Sequence, residues 1–163
     1  EAEGARLLLA ADTHDHLIFF TNQGRAFSLK CHKLPADASR TSRGTPLIGL
    51  LPGMGEKEQV SGMVALPEFV PGLFLVMATC QGEVKKTALE RFANIRTSGL
   101  IAMDLEKGDE LVAVRLAREE DEVIVVSRRG LSIRFPVVSL RLASRSSGGV
   151  RGIRRRRRNI YRT

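Results

Sequence analysis

The sequence predicts an all-β chain made of about three repeats, each with the size and content of a roughly four-stranded propeller blade, forming an incomplete ring. Three observations predict it. An apolar or β-branched run ends in a Thr/Ser-x-x-Gly turn three times, at residues 17–24 (LIFFTNQG), 74–82 (FLVMATCQG) and 123–130 (VIVVSRRG). A second landmark rich in Arg, Ser and Gly begins 14 to 16 residues after each turn glycine, at residues 40–44, 96–99 and 145–149. Helical signals are scarce.

Each glycine turn joins two strands, because a second strand follows it every time: RAFSLK at 25–30, EVKKTAL at 83–89 and LSIRF at 131–135. Strand, glycine turn, strand reads as a hairpin, with the glycine supplying the positive φ that a tight turn needs. After each Arg/Ser/Gly loop comes a short apolar strand, 46–51 or 100–105, then an acidic turn at Gly55-Glu56 or Gly108-Asp109, then a further strand. The turn glycines lie 58 and 48 residues apart. The longer first interval holds residues 66–72, whose two prolines mark a loop between repeats. Leu89, Phe92 and Ala93 share a face, so residues 87–92 offer one helical turn as an alternative that the strand-rich pattern does not favour. At the N-terminal side, a turn at His14-Asp15-His16 separates residues 7–11 from the next strand. The boundaries are a first repeat at 1–66, partial at its N-terminal side, a second at 67–115, a partial third at 116–153, and an arginine-rich tail at 154–163 expected to be disordered. A chain that starts at Glu1 reads as a fragment.

The net charge of +8 belongs largely to one end. Residues 141–163 hold nine arginines and no acid, which leaves 17 of the 26 basic residues and all 18 acids in residues 1–140. A polyanion is the partner such a charge suggests, yet a basic tail alone would bind phosphate without a shaped surface. The longest apolar stretch, around 73–78, falls far short of the roughly 18 residues of a membrane span. Two cysteines, Cys31 and Cys80, have neither CxxC spacing nor a repeated Cys/His pattern, so a reduced cytoplasmic setting is expected and a disulfide scaffold is not.

Catalytic machinery is not expected. His14, His16 and His32 all fall in the first repeat. A metal site built from Asp12, His14 and His16 competes poorly with a solvated turn. Cys31 and His32 are adjacent strand residues that point to opposite faces. No glycine-rich phosphate loop stands in a strand-to-helix context, and the carboxylates Glu106, Asp109, Glu110 and 119–122 read as solvated turn residues. Tyr161, the only tyrosine, has no base beside it. No cofactor, metal or catalytic residue is therefore predicted.

What remains is a set of cations that recurs with the repeats. Arg25 and Lys30, Lys85 and Lys86, and Arg128, Arg129 and Arg134 flank the hairpins. Arg40 and Arg43, Arg91 and Arg96, and Arg145 and Arg151 accompany the second landmark. Such a curved stripe would touch phosphates rather than bases, and with one tyrosine and no tryptophan the duplex backbone fits better than stacked single strands. The opposite reading is that each arginine pairs with a neighbouring acid or caps a carbonyl.

Four stretches resemble consecutive blades of the C-terminal domain of the DNA gyrase A protein, or its relative in topoisomerase IV: THDHLIFFTNQGRAFSLK (13–30), SRTSRGTPLIGLLPGMGEK (39–57), GEVKKTALERFANIRTSGLIAMDLEKGDELVAVRL (82–116) and DEVIVVSRRGLSIRFP (121–136). The resemblance includes the FANIR stretch at 92–96 and the GDEL turn at 108–111. It implies a β-pinwheel, a propeller-like ring whose blades exchange strands and whose basic rim bends and wraps duplex DNA. It also implies a non-catalytic module of a bacterial type IIA topoisomerase that supports ATP-dependent negative supercoiling. The cleaving tyrosine would lie elsewhere in the gyrase A protein and the ATPase in the gyrase B protein. The implied partners are therefore duplex DNA, the remainder of gyrase A, and gyrase B, with no membrane. The incomplete ring could associate with itself. The family's basic glycine-rich box, of the form QRRGGKG, has no counterpart in these residues. An alternative is a protein-interaction scaffold, a partial propeller whose open strands pair with another chain and whose DNA affinity comes only from the tail.

Overall fold

A computed structural model describes residues 4–37, 39 and 41–153; Arg40 and the arginine-rich tail lie outside these. The described residues form ten strands: β1 (His16–Thr21), β2 (Arg25–Lys30), β3 (Val60–Leu66), β4 (Phe74–Thr79), β5 (Glu83–Ala88), β6 (Leu100–Ile101), β7 (Leu111–Ala117), β8 (Glu122–Val126), β9 (Ser132–Pro136) and β10 (Val150–Arg151). Among them there is no α-helix, only short 3₁₀ turns. The chain is all-β.

The three hairpins form where the glycine turns predict, and the hydrogen bonds explain why each turn opens with Thr or Ser. The hydroxyls of Thr21, Thr79 and Ser127 accept the backbone N–H four residues on, from Arg25, Glu83 and Leu131. The carbonyls of the same three residues accept the N–H of Gly24, Gly82 and Gly130. Those glycines stand at φ of 75°, 91° and 80°, where a Cβ is disfavoured.

The first two repeats do not complete their sheets alone. The first sheet runs β3-β1-β2-β6 and the second β10-β5-β4-β7, so the outer strand of each belongs to the following repeat. β6 pairs with β2 through Ala26↔Leu100 and Arg25↔Ile101, and β10 pairs with β5 through Val84↔Val150 and Glu83↔Arg151. Each exchange is clamped at the hairpin tip. The Gly24 carbonyl accepts the N–H of Ala102 and Met103, and the Gly82 carbonyl accepts those of Gly152 and Ile153. Among the described residues the third sheet holds only β8 and β9.

Successive sheets bury facing apolar surfaces. Ile18, Phe20 and Val64 of the first sheet meet Leu75, Met77 and Val114 of the second. The opposite face of the second sheet, through Val76, Val84 and Ala117, meets Val123, Val125 and Phe135 of the third. A separate cluster around Leu17, Phe19, Phe27 and Leu51 closes the first sheet with its own loop. The disfavoured alternative of one helical turn is present as a 3₁₀ turn at Leu89–Phe92, and its Leu89 and Phe92 plug the first interface.

Four expectations need correction, the first being that Cys31 and His32 are not strand residues but open a 3₁₀ turn at Cys31–Lys33 once β2 ends at Lys30. Residues 46–51 form no strand but a 3₁₀ turn at Leu47–Gly49, where the Pro46 carbonyl takes the Gly49 N–H and Leu47 packs on the sheet. The strand expected over 100–105 shrinks to Leu100–Ile101, because Ala102 and Met103 spend their N–H groups on the Gly24 tip. Asp109 is buried rather than solvated: its Oδ1 accepts the N–H of Gln81 and of Glu110. Glu58 plays the matching part in the first repeat, accepting from the Thr21 hydroxyl and the Gly55 N–H.

The turn glycines of the first and third hairpins differ in what surrounds them. A Cβ on Gly24 would run into the Met103 carbonyl, whereas one on Gly130 would meet nothing among the described residues. Gly24→Ala should therefore lower stability by about 3 kcal/mol or more, and Gly130→Ala by about 1 kcal/mol, the left-handed backbone cost alone. Urea titrations of both variants measure the difference, and equal losses would contradict the clamped tip.

Candidate nucleic-acid interface

The cations singled out from the sequence divide into two groups. In the first, each charge is already used inside the fold. Lys85 is 1% exposed, and its ammonium donates to the carbonyls of Ala102, Arg145 and Ser147. It ties β5 to both sides of the next strand exchange and cannot reach a phosphate. Lys86 is buried as well, bonding both carboxylate oxygens of Glu119 at 3.1 and 3.2 Å and lying over the Phe74 ring. Arg25 bridges Glu58 at 2.8 Å and the Ser98 carbonyl, with its guanidinium over Phe27. Lys30 donates to the His14 carbonyl and meets His16 Nε2 at 2.8 Å. Arg134, though exposed, pairs with Glu122 at 2.9 Å.

The second group faces solvent. Arg43, Arg91, Arg96, Arg128, Arg129 and Arg151 are exposed, and none of them forms an ion pair among the described residues. Arg96 and half-buried Arg145 line one cleft of about 610 Å³ with Asn94, Ser98 and Ser146, and no acid among the described residues lines it. Arg145 donates from Nη1 to the Arg91 carbonyl, while its buried Nε has no partner among the described residues. The cleft therefore gathers guanidinium and hydroxyl donors without a compensating charge, which is how a site for an anionic oxygen is built.

The hairpin cations do not recur position by position. Counted from the turn glycines, Arg25 corresponds to Glu83 and Leu131, and Lys85 to Phe27 and Ile133. The loops are out of phase too. Strand pairing matches Gly99 with Gly149, so Arg96 corresponds to Ser146 and Arg145 to Ile95. The two arginines still converge, because the second and third repeats present neighbouring loops to one cleft. Asn94, Ser98 and Ser146 lie in the segments the sequence marked, but their meeting in one cleft arises only from that convergence.

The three histidines have separate surroundings. His14 Nδ1 lies 3.2 Å from an Asp12 oxygen, and the His14 backbone N–H holds the Asp12 carboxyl below its usual range. His16 packs edge-on to Phe69, and burial, with the Lys30 charge adding to it, pushes its pKa down. No group of three or more His, Cys, Asp or Glu among the described residues is placed to hold a metal ion.

The sequence matches the family described as "DNA gyrase C-terminal domain, beta-propeller" over residues 15–67, 74–118 and 121–159. The chain belongs to the DNA gyrase C-terminal domain family. The DNA gyrase A protein of Dehalogenimonas lykanthroporepellens is 46% identical over 153 residues, and that of Escherichia coli K12 is 43% identical over 147. These alignments cover 94% and 90% of the chain but 19% and 17% of the relatives, so the chain spans under a fifth of their length. The crystal structure of the C-terminal domain of DNA topoisomerase IV superposes with a TM-score of 0.77 at 26% identity, covering 88% of this chain and 44% of that one. A DNA gyrase A C-terminal domain gives 0.70 at 20% identity, covering 87% and 44%, and shares the fold. Each of the three matched segments begins at one of the three hairpins, and no helix among the described residues is long and apolar enough to cross a membrane.

Burial pushes the Lys85 pKa down to about 8; Asp104 opposes the shift and Arg145 adds to it. Between that value and the usual 10.5, the unfolded chain binds more protons than the folded one, so this group makes stability rise with pH across that window. Lys85→Met should remove the rise and cost about 2–4 kcal/mol at neutral pH by leaving three carbonyls unpaired. Urea midpoints for both proteins from pH 7 upward test this; parallel profiles would show that Lys85 does not titrate there.

Proposed function

We propose that this chain is a non-catalytic module that binds duplex DNA through phosphate contacts and bends or wraps it. Its setting is a bacterial gyrase-type topoisomerase, in which it supports ATP-dependent negative supercoiling. The observation that carries the reading is the acid-free cleft of Arg96 and Arg145, flanked by exposed Arg91 and Arg151. Cations held by acids or carbonyls stabilise the blades; arginines left without acids on adjoining loops are available to a polyanion.

Bending a duplex of 20–30 bp by 40–90° costs on the order of 1–6 kcal/mol, so phosphate contacts must be spread over more than one blade. Cations at the Arg/Ser/Gly loops and at the third hairpin tip, Arg128 and Arg129, meet that requirement. The module needs no cofactor or metal of its own. DNA cleavage belongs to the remainder of the gyrase A protein and ATP hydrolysis to the gyrase B protein, which makes these its partners in the bacterial cytoplasm, at the nucleoid. The family relatives' name supports this assignment.

Fluorescence anisotropy on a duplex across a salt series tests the proposal. Binding should weaken with salt, and each lost phosphate contact should reduce the log–log slope by about 0.9. Arg96→Gln with Arg145→Gln should flatten the slope by about two such steps, while Arg134→Gln, whose charge is paired with Glu122, should change it less. Residues 1–153 should retain salt-sensitive binding. If that shortened chain has no duplex affinity at low salt, the blades are not the DNA surface.

A further inference from the structure

The ammonium of Lys85 grips both walls of the cleft that holds Arg96 and Arg145. One wall belongs to the second repeat and ends at Leu100 and Ile101; the other is Arg145 and Ser146 of the third. The ammonium donates at 2.8 Å to the carbonyl of Ala102, next after the first wall, and to the carbonyls of Arg145 and Ser147, which bracket Ser146 in the second. Lys85 is 1% exposed and is not among the lining residues, so it holds the walls from behind.

Little else fixes the second wall. Before it, the Ala143 N–H donates to the Lys86 carbonyl; after it, β10 begins only at Val150. In between, the Asp104 N–H reaches the Ser147 carbonyl and the Gly149 N–H a Glu83 carboxylate oxygen. Among the described residues, the bond from Lys85 to the Arg145 carbonyl is the only hydrogen bond on the backbone of Arg145 or Ser146. Arg145 also carries the donor most sensitive to placement, its buried Nε, which has no partner among the described residues.

Strand exchange by itself does not require a charge at this point. Counted from the turn glycines, Lys85 corresponds to Phe27, which is equally buried and whose ring packs under Gly99 in the first exchange. An apolar side chain thus completes the first junction without the desolvation that a buried ammonium brings. What the ammonium adds is three donors for three carbonyls, which a neutral amine with two cannot match.

We propose, on the duplex-binding reading of this cleft, that Lys85 is a positioning residue for DNA: it sets Arg145 and Ser146 against Arg96 so that the cleft receives a backbone phosphate, and it touches no DNA itself. The charges acting on the ammonium are Asp104, which favours its protonated form, and Arg145, which opposes it; Glu83 shares its face of β5. A phosphate seated by Arg145 offsets that repulsion, so phosphate and protonated Lys85 stabilise one another. Affinity is therefore full below about 8, where Lys85 is charged in the free protein, and declines as pH rises past that value.

Fluorescence anisotropy of the full chain on a duplex across a salt series tests this, with a urea midpoint for each variant to establish that it is folded. Lys85→Met should flatten the log–log slope by about 0.9, the equivalent of one phosphate contact, although the side chain is buried. In a background of Arg96→Gln with Arg145→Gln the same change should leave the slope nearly as it was, because no seat remains to be positioned. Equal flattening in both backgrounds, or none in either, would overturn the proposal. Should Lys85→Met fail to fold, the pH profile decides. From about pH 7 to about pH 9 the affinity of the unsubstituted chain should fall several-fold more than that of the Arg96→Gln with Arg145→Gln chain, and parallel profiles would overturn the proposal. If Arg96→Gln with Arg145→Gln leaves the slope intact, the cleft is not a DNA site and the positioning role falls with it.

Discussion

The short ladders from β6 to β2 and from β10 to β5 carry the architecture, because they cover hairpin edges that the first two repeats leave open with strands from the repeat that follows. A two-stranded hairpin is marginal by itself. Here each of the first two is held from both sides, by an inner strand of its own repeat and an outer strand from the next. The close approach of Gly99 to the buried Phe27 ring leaves no room for a side chain there, and Gly149 lies against Met103, Glu83 and Val84, so the Arg/Ser/Gly loops are tied to the exchange and not to the solvent alone.

That tie decides which cations can bind anything. The loops lie over the strand-exchange points, so side chains leaving them either turn inward to fasten the junction or outward into the gap between blades. From the strands beneath, Lys85 on β5 and Arg25 on β2 fasten the junction from the other side, one caging three carbonyls and the other joining a buried glutamate to the Ser98 carbonyl. Arg96 is of the outward kind, and Arg145 is both, giving its carbonyl to Lys85 and its side chain to the cleft. Cations used inside the fold and exposed cations thus meet at the same junctions between blades.

The sequence revealed most of the architecture, since Thr/Ser-x-x-Gly turns are local chemistry: one hydroxyl, one carbonyl and one positive φ within five residues. The inward role of Lys85 was not legible, because it depends on Ala102, Arg145 and Ser147 arriving from strands and loops distant in the chain. Nor was the role of Asp109, which looks like any surface acid until the Gln81 turn folds onto it. The 46–51 segment misled for a related reason: its apolar residues signal burial, and burial there is met by a 3₁₀ turn packing on the first sheet rather than by a strand. Recurrence of arginine was a sound guide to the loops and a poor one to individual contacts, since Arg96 and Arg145 occupy different register positions.

The claim that this body shapes DNA, rather than merely attracting it through an arginine-rich end, is tested most directly by closing relaxed plasmid with ligase in the presence of residues 1–153 and measuring linking number after the protein is removed. The account predicts a shift of one sign that grows with protein concentration and is reduced by Arg96→Gln with Arg145→Gln. Saturating duplex binding with an unchanged linking-number distribution would contradict it.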